Sequence, residues 1–163
     1  VSTPLNNVKV ERFRISGVPV NLATSFNSGD MMKWDPVNRV ATPTVAGDAG
    51  ANSAASNFIG VSNDTNPIPS IKQNLAAPRI TIITSGLVQF NVGDLATYFP
   101  GDLVAIGNDP QVVTKSNASA ANAIGVVAAE NFFTVTSGAT VGIVAPATIQ
   151  VYLRPQFTSL TPV

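Results

Sequence analysis

The 163-residue sequence predicts a mainly β fold: an antiparallel β-barrel or sandwich built from a duplicated hairpin unit, with extended N- and C-terminal segments and little helix. Three observations predict it. One phrase of the sequence occurs twice, short apolar runs alternate with Gly, Pro and Asn turn signals, and helical periodicity is almost absent. The first copy of the phrase reads Ser16-Gly17-Val18, Gly29-Asp30-Met31-Met32, Ile59-Gly60-Val61. The second reads Ser85-Gly86-Leu87, Gly101-Asp102-Leu103-Val104, Ile124-Gly125-Val126. Self-similarity of this kind marks a duplicated supersecondary unit. The copies span residues 16–67 and 85–128, inside one β domain covering 16–154.

Each element has its own justification. Residues 1–15 are an extended arm and first strand, the arm being polar and carrying Pro4 and Asn6-Asn7. From Val8 to Val20 the residues favour strand, but alternation breaks: Val8 and Val10 fall on one face with Arg12 and Arg14, while Phe13 and Ile15 point the other way. A β-bulge accounts for this, as does a strand with neighbours on both faces; the bulge is the reading adopted. Asp35-Pro36 and Asn108-Asp109-Pro110 are β-turn signals, because Asp or Asn accepts local backbone hydrogen bonds while Pro fixes φ. The short runs around them, 31–34 with 39–42 and 103–106 with 111–114, therefore read as hairpins. Residues 45–57, rich in Ala, Gly, Ser and Asn, have little to bury and read as an exposed loop or insertion. Residues 116–122 are its shorter counterpart, with room for one helical turn. Arg79 to Phe90 is a strand interrupted by a glycine bulge at Ser85-Gly86. Ile149, Val151 and Leu153 alternate with Gln150, Tyr152 and Arg154, which gives a final strand one buried and one wet face. Residues 155–163 form an extended tail.

Composition narrows the function. Only 11% of residues are charged, and nine basic residues balance nine acidic ones. No basic patch is available to neutralise phosphates, so direct nucleic-acid binding is not expected. A neutral, charge-poor surface does not repel copies of itself and suits a subunit packed against others, although it also fits a monomer rich in Asn, Ser and Thr. The absence of Cys removes disulfides and thiolate chemistry. The absence of His removes His-dependent triads and the commonest transition-metal ligand, which leaves carboxylates, Lys or Tyr for any catalysis. Residues 1–10 contain no apolar core of a secretory signal, no apolar run is long enough for a spanning helix, and a small residue at position 1 fits loss of an initiator Met. Cytoplasmic synthesis without a membrane stage is the expectation.

Each candidate site has a competing structural role. Gly29-Asp30 and Gly101-Asp102 read as paired carboxylates or as tight turns; their recurrence in one slot of both copies favours turns. Asn63-Asp64-Thr65-Asn66 and Gly107-Asn108-Asp109 are oxygen-rich but lack calcium-loop spacing. Gly47 to Gly50 lacks the Gly-Lys-Ser/Thr of a phosphate loop. The sequons at Asn63 and Asn117 lack a secretory context. Trp34 is the only Trp and reads as a stacking platform, an interface anchor or core packing. The expected partner-contact residues are Leu5, Val8, Lys9 and Arg12 near the N-terminus, Trp34, and Arg154 and Phe157 near the C-terminus. No catalytic residue, cofactor or metal site is expected.

The order of these motifs resembles the small capsid decoration, or cement, proteins of tailed double-stranded DNA bacteriophages. The resemblance rests on the Gly-Asp-apolar hairpins, the Ala/Ser/Thr-rich stretch after the first hairpin, and the Ile-Gly-Val strand. It continues in Thr84-Ser85-Gly86-Leu87-Val88 before the second Gly-Asp, and in the closing strand Ile149 to Arg154. It covers roughly residues 16 to 154, and the insertion at 45–57 departs from it. The resemblance implies a β-tulip-like fold and a homotrimer on the outer surface of the virion capsid, bound to the major capsid protein and made in the host cytoplasm. The rival readings are a β-sandwich module for carbohydrate or a host surface, and a carboxylate-based hydrolase.

Overall fold

In the computed structural model, the described residues are 6–21, 23–45, 48, 57–65, 78–107, 111–132 and 142–154. The strands are β1 (Asn7–Pro19), β2 (Met31–Asp35), β3 (Val40–Pro43), β4 (Phe58–Ser62), β5 (Arg79–Val92) and β6 (Thr97–Tyr98), then β7 (Leu103–Ile106), β8 (Val112–Thr114), β9 (Gly125–Val127), β10 (Ile143–Val144) and β11 (Thr148–Leu153). The fold is mainly β, with a four-residue 3-10 turn at Ala129–Phe132. The stretch 116–122 forms turns, with Asn122 accepting from the Ser119 N–H and donating to the Asn117 carbonyl.

Strand β5 organises the molecule. Its second half pairs with β11 on one edge (Phe90 opposite Ile149) and with β8 on the other (Val92 opposite Val113, parallel). β8 continues to β7, β7 to β9, and β9 back to β11, so five strands close into a barrel. The first copy repeats this circuit. The first half of β5 pairs with β1 (Val18 opposite Ile80) and with β4 (Ser62 opposite Ile82). β4 pairs with β2 and β2 with β3. A parallel bridge from Val20 to Ala41, matching Val92 to Val113, closes the ring. One contact in each ring is thus parallel in an otherwise antiparallel fold. Long β5 closes the first barrel with one half and opens the second with the other.

The two circuits match residue by residue. Met32 faces Gly60 in the first barrel as Val104 faces Gly125 in the second. The first core holds Val18, Phe26, Met32, Ala41, Ile59, Ile80 and Ile82. At the same positions the second core holds Phe90, Tyr98, Val104, Val113, Ile124, Ile149 and Val151. Fully burying an aliphatic side chain contributes roughly 1.5–3 kcal/mol, so each set is a sizeable share of its barrel's stability.

The broken alternations have the predicted cause. β1 shifts register against β5 at several points between Val8 and Val18. In β5 the even-numbered residues face inward on both sides of Gly86, Ile80 and Ile82 into the first core and Val88 and Phe90 into the second, while Ile83 on the opposite face also packs in the second core. Gly86 has φ 141°, and a Cβ there would run into the Val10 carbonyl oxygen. Only glycine lets β1 lie against the bulge at this point.

Candidate partner-binding surfaces

The two Gly-Asp pairs build turns. The Gly29 N–H donates to the Ser62 carbonyl (2.7 Å), Ser62 N–H returns to the Asp30 carbonyl (2.8 Å), and the Asp30 carboxylate accepts from Asn27 N–H (2.8 Å). Gly101, Val127, Asp102 and Phe99 repeat the set at 2.9, 2.8 and 2.8 Å. Both glycines have positive φ, 92° and 84°. Burial raises the Asp30 carboxyl above the usual carboxylate range against the opposing Asn27 hydrogen bond. The Asp64 carboxylate accepts from Thr81 N–H (2.8 Å), and Asp35 accepts from Val37 and Asn38 N–H groups at its turn. No group of three or more acidic or metal-ligating side chains gathers among the described residues. The turn signal at 108–110 and most of the 45–57 stretch lie outside them.

A second polar cluster is self-contained. Lys115 Nζ pairs with Asp102 (2.6 Å), donates to the Thr97 carbonyl (2.8 Å) and sits 5.3 Å from the Phe99 ring centroid. Lys33 is similarly paired with Asp48 (2.8 Å). These cations already have partners and latch loops onto the barrels.

The expected contact residues are separated by the fold. Leu5 and Phe157 lie outside the described residues, as does the Arg12 side chain. Val8 is half-buried and packs on the second core, while Lys9 beside it is exposed. Arg154 is exposed just beyond β11, where its N–H bonds the Ile124 carbonyl (2.9 Å). Trp34 is half-buried on the first core, at the far end of β1 from Val8. It lines a cleft of about 340 Å³ with Ile15, Ser16, Gly17, Arg39 and Arg79. Arg79 donates to the Gly17 carbonyl (2.6 Å), and neither arginine has a carboxylate partner among the described residues.

Two residues escaped the sequence reading. Val10 and Phe13, on β1, are 50% and 68% exposed. Among the described residues, β1 from Asn7 to Ile15 has a strand neighbour on one edge only, so the other edge presents open backbone donors and acceptors. The signal was the broken alternation of residues 8–15, which a register shift explains but which also leaves apolar side chains outside. A scan against protein-family models finds no match for this chain, and a search of curated proteins finds none either.

Proposed function

We propose that this chain is a structural virion protein that binds the outer surface of an expanded icosahedral capsid and clamps neighbouring major capsid subunits against internal DNA pressure. The observation that supports it best is β1, a long strand whose second edge has no strand neighbour from Asn7 to Ile15 among the described residues and which carries the exposed apolar residues Val10 and Phe13. Such an edge is a site for strand addition by another chain, main-chain bonds giving affinity and side-chain pockets giving specificity. Lys9, Glu11 and Arg14 on the same strand are exposed charges of the kind that oppose indiscriminate edge-to-edge pairing. The charge-poor composition and the resemblance to decoration proteins point the same way. The proposal includes a homotrimer and assigns no reaction, nucleic acid or membrane to the chain.

The clamp works by differential affinity. A ligand that binds the expanded lattice more tightly than the precursor lattice stabilises the expanded one by that difference. An oligomer spanning several coat subunits makes each further contact intramolecular, so weak single contacts sum to a strong hold.

Co-sedimentation of the purified protein with expanded and with precursor shells tests the reading. Saturable binding at fixed stoichiometry to the expanded shell, weakened about tenfold by Phe13→Asp (~1.4 kcal/mol of lost contact), is the outcome the clamp requires. Equal affinity for both shells, or none for either, rejects it. A second reading, a carbohydrate or host-surface module, draws on the Trp34–Arg39–Arg79 cleft; binding of acidic glycans that Trp34→Ala abolishes would favour it.

A further inference from the structure

The duplication supplies an internal template for a binding site. In the second barrel Val88, Ile106 and Gln111 form the end facing the first barrel, and all three are buried. The Gln111 side chain accepts from the Met31 N–H and donates to the Met31 carbonyl and to Thr44 Oγ1 (3.2 Å each). Met31, Phe58, Val61 and Ile83 plug this end and are continuous with the second core. An amide carries both donors and an acceptor, so it suits a peptide unit that offers an N–H and a carbonyl. At the matching positions the first barrel has Ser16, Trp34 and Arg39, and these line the cleft of about 340 Å³. Arg39 has positive φ (57°), as Gln111 does (72°), so both side chains leave their hairpins from the same backbone conformation.

The chemistry of the position changes with the residue. A guanidinium has a fixed fork of N–H donors and no acceptor, so the group that suits it presents two oxygens and no N–H, as a carboxylate does. A second guanidinium is held at the rim, where Arg79 donates to the Gly17 carbonyl (2.6 Å). Both arginines are exposed, and neither has an ion pair among the described residues. The stretches outside those residues contain one acidic side chain, Asp109, two positions before Gln111 in the sequence. Ile15 and Trp34, half-buried on the first core, give the cleft an apolar wall. We propose that the Trp34–Arg39–Arg79 cleft binds an acidic side chain, Asp or Glu, carried beside an aliphatic residue on a peptide segment of a partner protein. The peptide follows from the template, since the matching end of the second barrel receives main chain and aliphatic side chains. The carboxylate follows from the two guanidiniums. On the capsid reading the segment belongs to a coat subunit, yet the inference rests on the cleft alone.

Trp34 is the only Trp, so its fluorescence reports on the cleft directly. The probe is acetyl-Leu-Glu-Leu-amide, whose sole carboxylate is the side chain, set against its Gln isostere. The Glu peptide should shift Trp34 emission saturably, and the Gln peptide should bind about tenfold more weakly or not at all. Arg39→Gln should weaken the Glu peptide by a similar factor, and Arg39→Lys, which keeps the charge without the fork, should restore only part of it. Gln111 holds the same left-handed backbone, so Arg39→Gln adds no strain, and circular dichroism confirms the fold. Equal binding of the two peptides, an equal response to inorganic phosphate, or no saturable shift with either peptide overturns the proposal. So does binding of glucuronate oligosaccharides in place of the peptide, which would move the cleft to the host-surface reading. Tighter peptide binding by Asp109→Asn would place the chain's own carboxylate in the cleft and reject an outside partner. Peptide binding without binding to either shell would reject the clamp and leave this site standing.

Discussion

Tyr98 stands in the second barrel where Phe26 stands in the first, and its hydroxyl needs a partner that Phe26 does not. Asp94 supplies it, accepting from the hydroxyl at 2.6 Å and from the Lys115 and Ser116 N–H groups at 2.9 Å each. Lys115 N–H also donates to the Tyr98 oxygen (3.0 Å), so one carboxylate and one phenol tie the end of β8 to the β5–β6 connection. Burial raises the Asp94 carboxyl, but the Tyr98 and Ser116 hydrogen bonds outweigh it and hold the group below its ordinary 3.8. Burial first, and then Asp94, push the Tyr98 phenol up. The lowered carboxyl contributes stability that is whole above pH 3.8 and is lost as pH falls through the folded-state value. Burial gives Asp30 the opposite sense, a raised carboxyl whose stabilising effect fades as pH rises. Asp94→Ala should lower stability by about 1–3 kcal/mol and flatten the acid limb. Tyr98→Phe should cost about 0.5–1.5 kcal/mol. Urea unfolding across pH 2–7 (an order-of-magnitude window about the carboxylate range) checks both, and an unchanged acid limb in Asp94→Ala would refute the assignment.

At the scale of the element, the duplicated Gly-Asp turn offers an internal control. Gly29 and Gly101 share the left-handed conformation and the same hydrogen bonds, but not the same neighbours. A Cβ on Gly101 meets nothing within 4 Å, whereas one on Gly29 runs into the Asn6 carbonyl oxygen. Gly101→Ala should therefore cost roughly 1–2 kcal/mol, the penalty for an L side chain in this region. Gly29→Ala should cost more and loosen Asn6, whose side chain bonds the Gly29 carbonyl (3.0 Å). Thermal unfolding of the pair settles this, and equal losses would show that crowding at Asn6 has no energetic weight.

For the whole molecule, the shared strand and the plugged end make the two barrels one cooperative unit. Met31, Phe58, Val61 and Ile83 belong to first-copy strands yet pack in the second core, so neither barrel buries its surface fully without the other. Trp34 reports on the first barrel and far-ultraviolet circular dichroism on both, and their urea transitions should coincide. Met31→Ala should lower the common midpoint by the equivalent of about 2–5 kcal/mol. Two resolved transitions in the unmodified chain would mean independent barrels.

Turns and periodicity are local, and they were legible. Of the repeated phrase, the Gly-Asp and Ile-Gly-Val pieces fall at matching positions, but Val18 matches Phe90, so Ser16-Gly17-Val18 is not the counterpart of Ser85-Gly86-Leu87. The Gly-Asp turns, the long strand at Arg79, the bulge at Gly86 and the alternating last strand each follow from a few neighbouring residues, because backbone φ preference and side-chain parity act over that range. The two-residue strands β6 and β10 carry too few residues for any pattern and were not foreseen. Nor does a local pattern say that Trp34 is half-buried at the mouth of a cleft while Ile106, in the same slot, is buried, or that Val10 and Phe13 remain outside. Those outcomes depend on which barrel plugs which and on which edge of β1 goes unpaired. By itself the sequence determined a duplicated β architecture without His or Cys chemistry. Only the tertiary structure decided that the copies form two barrels on one strand with unequal ends, since burial is a property of what packs against a surface and not of the residues that make it.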